Sequence, residues 1–209
     1  MLLSGIENII LDLGGVIINL NHGLTNHAFQ QLFPDNYHKI LEKYKVQQLF
    51  EKYETNHVST IEFIDFFKSY NPSVYENQIM EAWNKMLLDI PLERIDLIAK
   101  LSKKYNVFLL SNTNELHYNF IEGYYQKLMK NGSFESLFKK SYLSYQIGLR
   151  KPDPEIFQYL LHDAKLKPEK TLFIDDSLEH INSALSLNII AHHLDLTQHQ
   201  SLTSLFNEY

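Results

Sequence analysis

Residues 9–20 read IILDLGGVIINL, and the fold turns on how this stretch is understood. An apolar run ends on one carboxylate, Asp12, and the chain then passes through Leu13 into Gly14 and Gly15. An unbroken apolar run, as opposed to an alternating one, is the pattern of a strand covered on both faces in a parallel sheet. A lone charge at the carboxyl end of such a strand sits where open α/β sheets bind their ligands.

With the first strand at 8–13, four more runs repeat the pattern at 107–111, 141–144, 171–175 and 189–192. Helical patterns lie between them. Asp153-Pro154 opens one helix as N-cap and first-turn proline, ahead of Ile156, Phe157, Leu160 and Leu161. Another covers 177–187 and closes on Asn188, a residue type that tolerates the left-handed C-terminal conformation. Strands alternating with helices predict an α/β fold: a doubly wound, mostly parallel five-stranded sheet with right-handed crossovers.

The first crossover is too long for one helix, since residues 14–106 lie between the first two strands. This segment is helical by pattern and rich in Tyr, Phe and His. Ser59-Thr60-Ile61-Glu62 and Ser73-Val74-Tyr75-Glu76 both fit the capping box. Behind the second, Ile79, Met80, Trp83 and Leu87 share a helical face. The aromatics read as the core of a small bundle. The sequence therefore predicts a helical cap insert at 19–90, an α/β core made of 1–18 and 91–209, and a helix over 91–105 returning to the sheet.

Composition narrows the function. The chain has 209 residues, 44% of them hydrophobic and 21% charged, with a mean hydropathy of −0.26, as in an ordinary globular protein with a sizeable core. A net charge of −6 argues against nucleic acid or an anionic membrane as partner. Without cysteine, disulfides, zinc ribbons and thiol catalysis are excluded. The N-terminus lacks the basic start of a signal peptide, and no stretch approaches the roughly 18 apolar residues of a membrane span. The expectation is a cytoplasmic protein, monomer or homodimer.

The polar residues at the carboxyl ends of the strands fall together in the fold. They are Asp12, then Ser111-Asn112, then Asp175-Asp176, with Lys151 in the loop GLRKPDP. Each alone is ordinary: a turn, a helix cap or a solvated lysine. At successive strand ends they make a nucleophilic carboxylate, a hydroxyl donor, a cation and an acidic pair. That set suits phosphoryl transfer, in which Asp12 attacks phosphorus and water later hydrolyses the aspartyl-phosphate. Lys151, the Ser111 hydroxyl and the amides around Leu13 and Gly14 would hold the phosphoryl oxygens. Clustered carboxylates without His or Cys suit Mg²⁺, and glycine at 14 and 15 allows close backbone approach.

In order and over nearly the whole chain, these motifs resemble the haloacid dehalogenase (HAD) superfamily. Asp12-Leu13-Gly14-Gly15-Val16 is similar to its first motif and Leu109-Leu110-Ser111-Asn112-Thr113-Asn114 to its second. Arg150-Lys151-Pro152 is similar to the third and Phe173-Ile174-Asp175-Asp176 to the fourth. The insert stands where the family's helical cap stands. SNTNELHYNF and IGLRKPDPEIF resemble most the subgroup holding the phosphatase domain of epoxide hydrolases and a bacterial α-glucose-1-phosphate phosphatase. The resemblance implies a Rossmann-like core and a Mg²⁺-dependent phosphatase acting on a small phosphorylated metabolite, with phosphosugars as first candidates. Asp12 would be the nucleophile. Ser111, Asn112 and Lys151 would hold phosphate, and the metal would be bound by Asp12, the Gly14 carbonyl and Asp176, with Asp175 beside it.

Two departures stand out. Family phosphatases carry a second Asp two residues after the nucleophile as general acid and base; here that place is Gly14, as in the related glucose-1-phosphate phosphatase. General acid–base catalysis is worth about 10²–10⁴-fold, which implies a slow phosphatase or one selective for good leaving groups such as anomeric and acyl phosphates. His180 stands where relatives have Asn; it either orients Lys151 or Asp176, or caps a helix turn. His22 is the nearest titratable candidate for the missing proton, and His192-His193 reads as structural. Two alternatives stay open: a 2-haloacid dehalogenase, which the acidic pair at 175–176 disfavours, and a phosphometabolite-binding regulator with little turnover, which Gly14 motivates.

Overall fold

Asn8–Leu11 form β1, the central strand of the sheet. Leu11 stands opposite Leu109 of β2 (Asn106–Ser111) on one side and Ile174 of β4 (Thr171–Asp175) on the other. With β3 (Lys140–Leu143) and β5 (Ile190–His193) the order is β3-β2-β1-β4-β5, and every pair is parallel. The computed structural model describes residues 3–46, 48–130 and 132–206, and five strands lie among them, as the apolar runs predict.

The strand ends differ from expectation by one or two residues. β1 stops at Leu11 instead of 13, because the Leu13 carbonyl turns inward to accept from the amides of Ile17 and Ile18. β2 and β3 each begin one residue early, and β5 covers 190–193 instead of 189–192. Ser144 is not in the third strand; it opens the short helix α8 (Ser144–Ile147).

Side chains alternate across the sheet, as strand geometry requires. Ile9, Leu11, Leu109 and Leu172 face one layer, where α6 (Leu92–Leu101) and α7 (Glu115–Met129) pack. Ile10, Phe108, Leu110 and Phe173 face the other, against α9 (Pro154–Asp163) and α10 (Leu178–Ser186). Asp153 and Pro154 start α9 as predicted, and Asn188 takes a left-handed φ of 59° after α10. The helix predicted over 91–105 ends at Leu101, with Pro91 at its N-cap. α8 (Ser144–Ile147) precedes the loop carrying Lys151, and α11 (Leu202–Leu205) closes the described chain.

Between β1 and β2 run α1 (His22–Leu32), α2 (Tyr37–Val46), α3 (Leu49–Glu54), α4 (Thr60–Lys68) and α5 (Glu76–Asn84). They enclose an apolar cluster of their own, in which the Trp83 ring lies 4.8 Å from Phe63 and 5.8 Å from Phe50. Leu116 of α7 joins it from the sheet side. The chain enters and leaves this bundle side by side: the Asn19 amide donates to the Asp89 carbonyl and the Leu88 amide to the Asn19 carbonyl, both at 3.0 Å, and Leu20 bridges Leu87.

The Ser59–Glu62 capping box forms on α4 as expected. The second expected box, Ser73 to Glu76, does not. The Ser73 amide donates to the Asn71 side chain at 3.1 Å, an Asx turn that holds the chain off the helical path. α5 starts after Tyr75, whose amide donates to Gln78 at 2.9 Å. Leu87 consequently falls beyond the helix, and of the predicted face Ile79 and Trp83 are the buried helical members. No helix among the described residues is long and apolar enough to cross a membrane.

Candidate active site

The carboxyl ends of β1, β2 and β4 bring the predicted residues together around one buried cation. Lys151 is 1% exposed. Its ammonium donates to Asp12 Oδ1 at 2.5 Å, to Asp175 Oδ2 at 2.7 Å and to the Leu110 carbonyl at 2.9 Å. All three of its protons thus have acceptors, which is what a buried ammonium needs. Burial opposes its charge, but the two carboxylates beside it raise its pKa and keep it protonated.

Asp175 is the more firmly ionised partner. Against the penalty of burial, Lys151 and His180 hold its carboxyl below the ordinary range. His180 Nδ1 lies 2.9 Å from Asp175 Oδ1, and the Ser177 amide donates to the same oxygen at 2.8 Å. His180 bonds neither of the groups expected of it, Lys151 or Asp176; its partner is Asp175, which in turn accepts from Lys151. Asp12 has fewer donors, and burial pushes its carboxyl up against the attraction of Lys151.

Oxygens of Asp12, Asp175 and Asp176 lie within 4.8 Å of one another. Three carboxylates with one ammonium leave negative charge uncompensated, and an oxygen donor set of this kind fits a hard cation such as Mg²⁺. Gly15 makes the approach of Asp176 feasible. Its φ is +73°, and a Cβ there would stand 2.5 Å from Asp176 Oδ2. The β1 loop is pinned from behind by the buried Arg94, which donates to the Ile17 carbonyl at 3.2 Å.

Asn112 faces Lys151 instead of open space. Its side chain donates to the Lys151 carbonyl and accepts from the Lys151 amide, both at 2.8 Å, so its amide group is engaged in fixing the lysine loop. Ser111 is 2% exposed and lines the cavity described next, together with Leu13 and Gly14.

That cavity, about 110 Å³, opens between the helical bundle and the strand ends. His22, exposed at the start of α1, is among its lining residues, and so are two residues the sequence does not single out, Glu54 and His117. Glu54, 3% exposed, pairs with Arg150 at 3.1 Å. Burial, more than Arg150 offsets, pushes its carboxyl up to about 7. His117 stacks on Trp83 at 4.9 Å with Nδ1 2.8 Å from Asn84 Oδ1, and burial pushes its pKa down to about 3. Its Nε2 is buried without a partner. Nothing local marks Glu54: in FEKYET it looks like one more solvent-facing charge of a helix end. His192 and His193 lie on β5, where His193 Nε2 is 3.0 Å from the Asp176 carbonyl.

An acidic cluster gripping a buried lysine at the carboxyl edge of a doubly wound sheet, beneath an inserted helical bundle, defines a class of hydrolase. The family model for haloacid dehalogenase-like hydrolases matches residues 6–188, and the chain belongs to that family. Among curated proteins it is 30% identical to a D-ribitol-5-phosphate phosphatase of Bacteroides thetaiotaomicron, over 97% of this chain and 99% of that one. Among solved structures it resembles a HAD family enzyme of the same organism in complex with magnesium and inorganic phosphate. That match has a TM-score of 0.84 and 35% identity, covering 96% of this chain and 99% of that one. A HAD-like hydrolase from Porphyromonas gingivalis matches with a TM-score of 0.80 and 32% identity, over 90% of each chain.

Proposed function

We propose that this protein is a Mg²⁺-dependent phosphatase that works through an aspartyl-phosphate on Asp12, on a sugar or polyol phosphate. The observation that carries the reading is the buried Asp12–Lys151–Asp175 arrangement at the strand ends, with Asp176 alongside. Full-length similarity to a ribitol phosphate phosphatase supports the substrate class, and the sugar phosphate subgroup that the motifs resemble lies in the same chemical range.

In this reading Asp175, His180 and Asn112 hold Lys151, and Lys151 orients the Asp12 carboxylate and faces the phosphoryl oxygens. Ser111 donates its hydroxyl to those oxygens, with the backbone at Leu13 and Gly14 beside it. Asp12, Asp176 and the Gly14 carbonyl would hold Mg²⁺, which when bound supplies the positive charge that lets a carboxylate meet a phosphate. In its carboxylate form Asp12 attacks phosphorus and expels the leaving oxygen. The α1–α5 bundle, residues 19–90, acts as the cap that closes the cavity and reads the leaving group.

The test is phosphate release from a panel of polyol, sugar, anomeric and acyl phosphates, with and without Mg²⁺, beside Asp12→Asn. Release that needs Mg²⁺ and falls at least 10³-fold in the variant is expected, since the variant lacks the nucleophile. Binding of inorganic phosphate without turnover by the wild type would favour the regulator reading that Gly14 motivates.

A further inference from the structure

The alcohol of an alkyl phosphate departs as an alkoxide unless a proton reaches its oxygen, and Gly14 offers no side chain for that transfer. Its space is already filled, since a Cβ there would stand 2.6 Å from Leu20 Cδ1. The titratable groups lining the cavity in front of Gly14 are His22, Glu54 and His117. His117 has no proton to give near neutrality, because burial keeps its ring uncharged. Lys151 has all three protons engaged by Asp12, Asp175 and Leu110. His22 is exposed at the start of α1.

Glu54 is different. It is buried at the end of α3, on the bundle side of the cavity and so opposite the strand ends that carry Asp12. Arg150 fixes its carboxyl by a bond to Oε2, and Arg150 directly precedes Lys151, so one loop positions both groups. We propose that Glu54 is the proton-transfer residue of this active site, resting on the phosphatase reading above. As the carboxylic acid it protonates the leaving oxygen while Asp12 attacks. The P–O bond breaks, its electron pair stays on the leaving oxygen, and that oxygen takes the Glu54 proton. The Glu54 carboxylate then takes a proton from the water that attacks the aspartyl-phosphate. The bond from phosphorus to the Asp12 oxygen breaks, and inorganic phosphate leaves with both carboxyl groups restored.

The surroundings suit the role. Arg150 and Lys151 favour the ionised carboxylate, Glu51 on the same helix opposes it, and burial outweighs them. Tyr44 of α2 faces Glu54 as a neutral phenol, its own pKa raised by burial and by this carboxylate. His22 and His117 line the same cavity. A carboxyl poised near 7 has both acid and base forms at neutral pH, the condition under which one group serves both steps.

The experiment compares kcat/KM of wild type and Glu54→Gln for the best alkyl monophosphate of the panel and for p-nitrophenyl phosphate, with Asp12→Asn in parallel. Gln keeps the shape and can still accept from Arg150, and thermal melting checks the fold. Loss of a general acid should cost about 10²-fold or more for the alkyl ester and under tenfold for p-nitrophenyl phosphate, whose leaving group needs no proton. The wild-type alkyl profile should fall above pH 7, and that limb should vanish in Glu54→Gln. Equal losses with both substrates would overturn the assignment while leaving the phosphatase standing, as would a selective loss in His22→Gln instead. No turnover by the wild type would sink the phosphatase reading and the proton-transfer role with it.

Discussion

At the scale of the residue, the two glycines after Asp12 are not equivalent. Gly15 sits at φ +73°, where a side chain is strained, and its missing Cβ makes room for Asp176 Oδ2 and Leu196. Gly14 would meet only the end of the Leu20 side chain, which can rotate aside. Gly15→Ala is therefore expected to lower stability by about 1–2 kcal/mol from the left-handed conformation alone. By displacing Asp176 it should also raise the Mg²⁺ concentration for half-maximal phosphate release at least tenfold. Gly14→Ala should change both much less. Melting curves and Mg²⁺ titrations of the two variants check this; equal effects would contradict the geometry. The sequence made the Gly-Gly pair legible as a place of close approach. Which glycine is obligatory was not legible, because the answer depends on where the β4 turn, 160 residues on, puts a carboxylate.

At the scale of the element, what could be read depended on whether the signal was local. The central strands stood out because burial on both faces makes their interiors continuously apolar, as at Ile9–Leu11, Val107–Leu110 and Leu172–Ile174, and the Asp153-Pro154 start of α9 is a property of the dipeptide. The capping boxes show the limit of the same logic. Ser59 and Glu62 satisfy each other across the first turn of α4, with the Ser59 amide donating to Glu62 at 2.8 Å. The identical pattern at Ser73 loses to the Asx turn that Asn71 makes with the Ser73 amide, and a four-residue pattern cannot report that competition. Ser59→Ala should cost about 1 kcal/mol, a fall of about 2–4 °C in Tm for a chain of this size. Ser73→Ala should stay within about 0.5 kcal/mol, as for a surface position without a cap. Thermal unfolding of the pair decides it, and comparable losses would return the second box to Ser73. The loop carrying Lys151 was legible as a motif but not as a mechanism: only the fold shows Asn112 clasping the lysine backbone on both sides.

At the scale of the whole molecule, Glu54 and Arg150 join the inserted bundle to the α/β core in one ion pair, 96 residues apart in sequence. Arg150 stood out in the third motif, but its pairing with Glu54 could not be read from sequence, since the burial at this junction arises only where the bundle meets the α/β core. Burial of Glu54, only partly offset by Arg150, gives stability a pH dependence whose sign follows from proton linkage. The Glu54 carboxyl is raised from an ordinary 4.5 to about 7 on folding, so between those values the folded chain binds more protons than the unfolded one. Its contribution to stability is complete below about pH 4.5 and is lost as pH rises through about 7. Glu54→Gln cannot ionise, so its stability relative to wild type should improve as pH rises from 5 to 8. The improvement is bounded by about 3 kcal/mol, at about 1.4 kcal/mol for each pH unit of displacement. The loss of a counter-charge for Arg150 offsets the variant by a constant, so the readout is the slope of the difference and not its value at one pH. Denaturant unfolding of both proteins across that range gives it directly. A flat difference would mean that Arg150 keeps Glu54 ionised throughout; the junction would then be a fixed clasp between the two bodies, with no proton to lend to the cavity it lines.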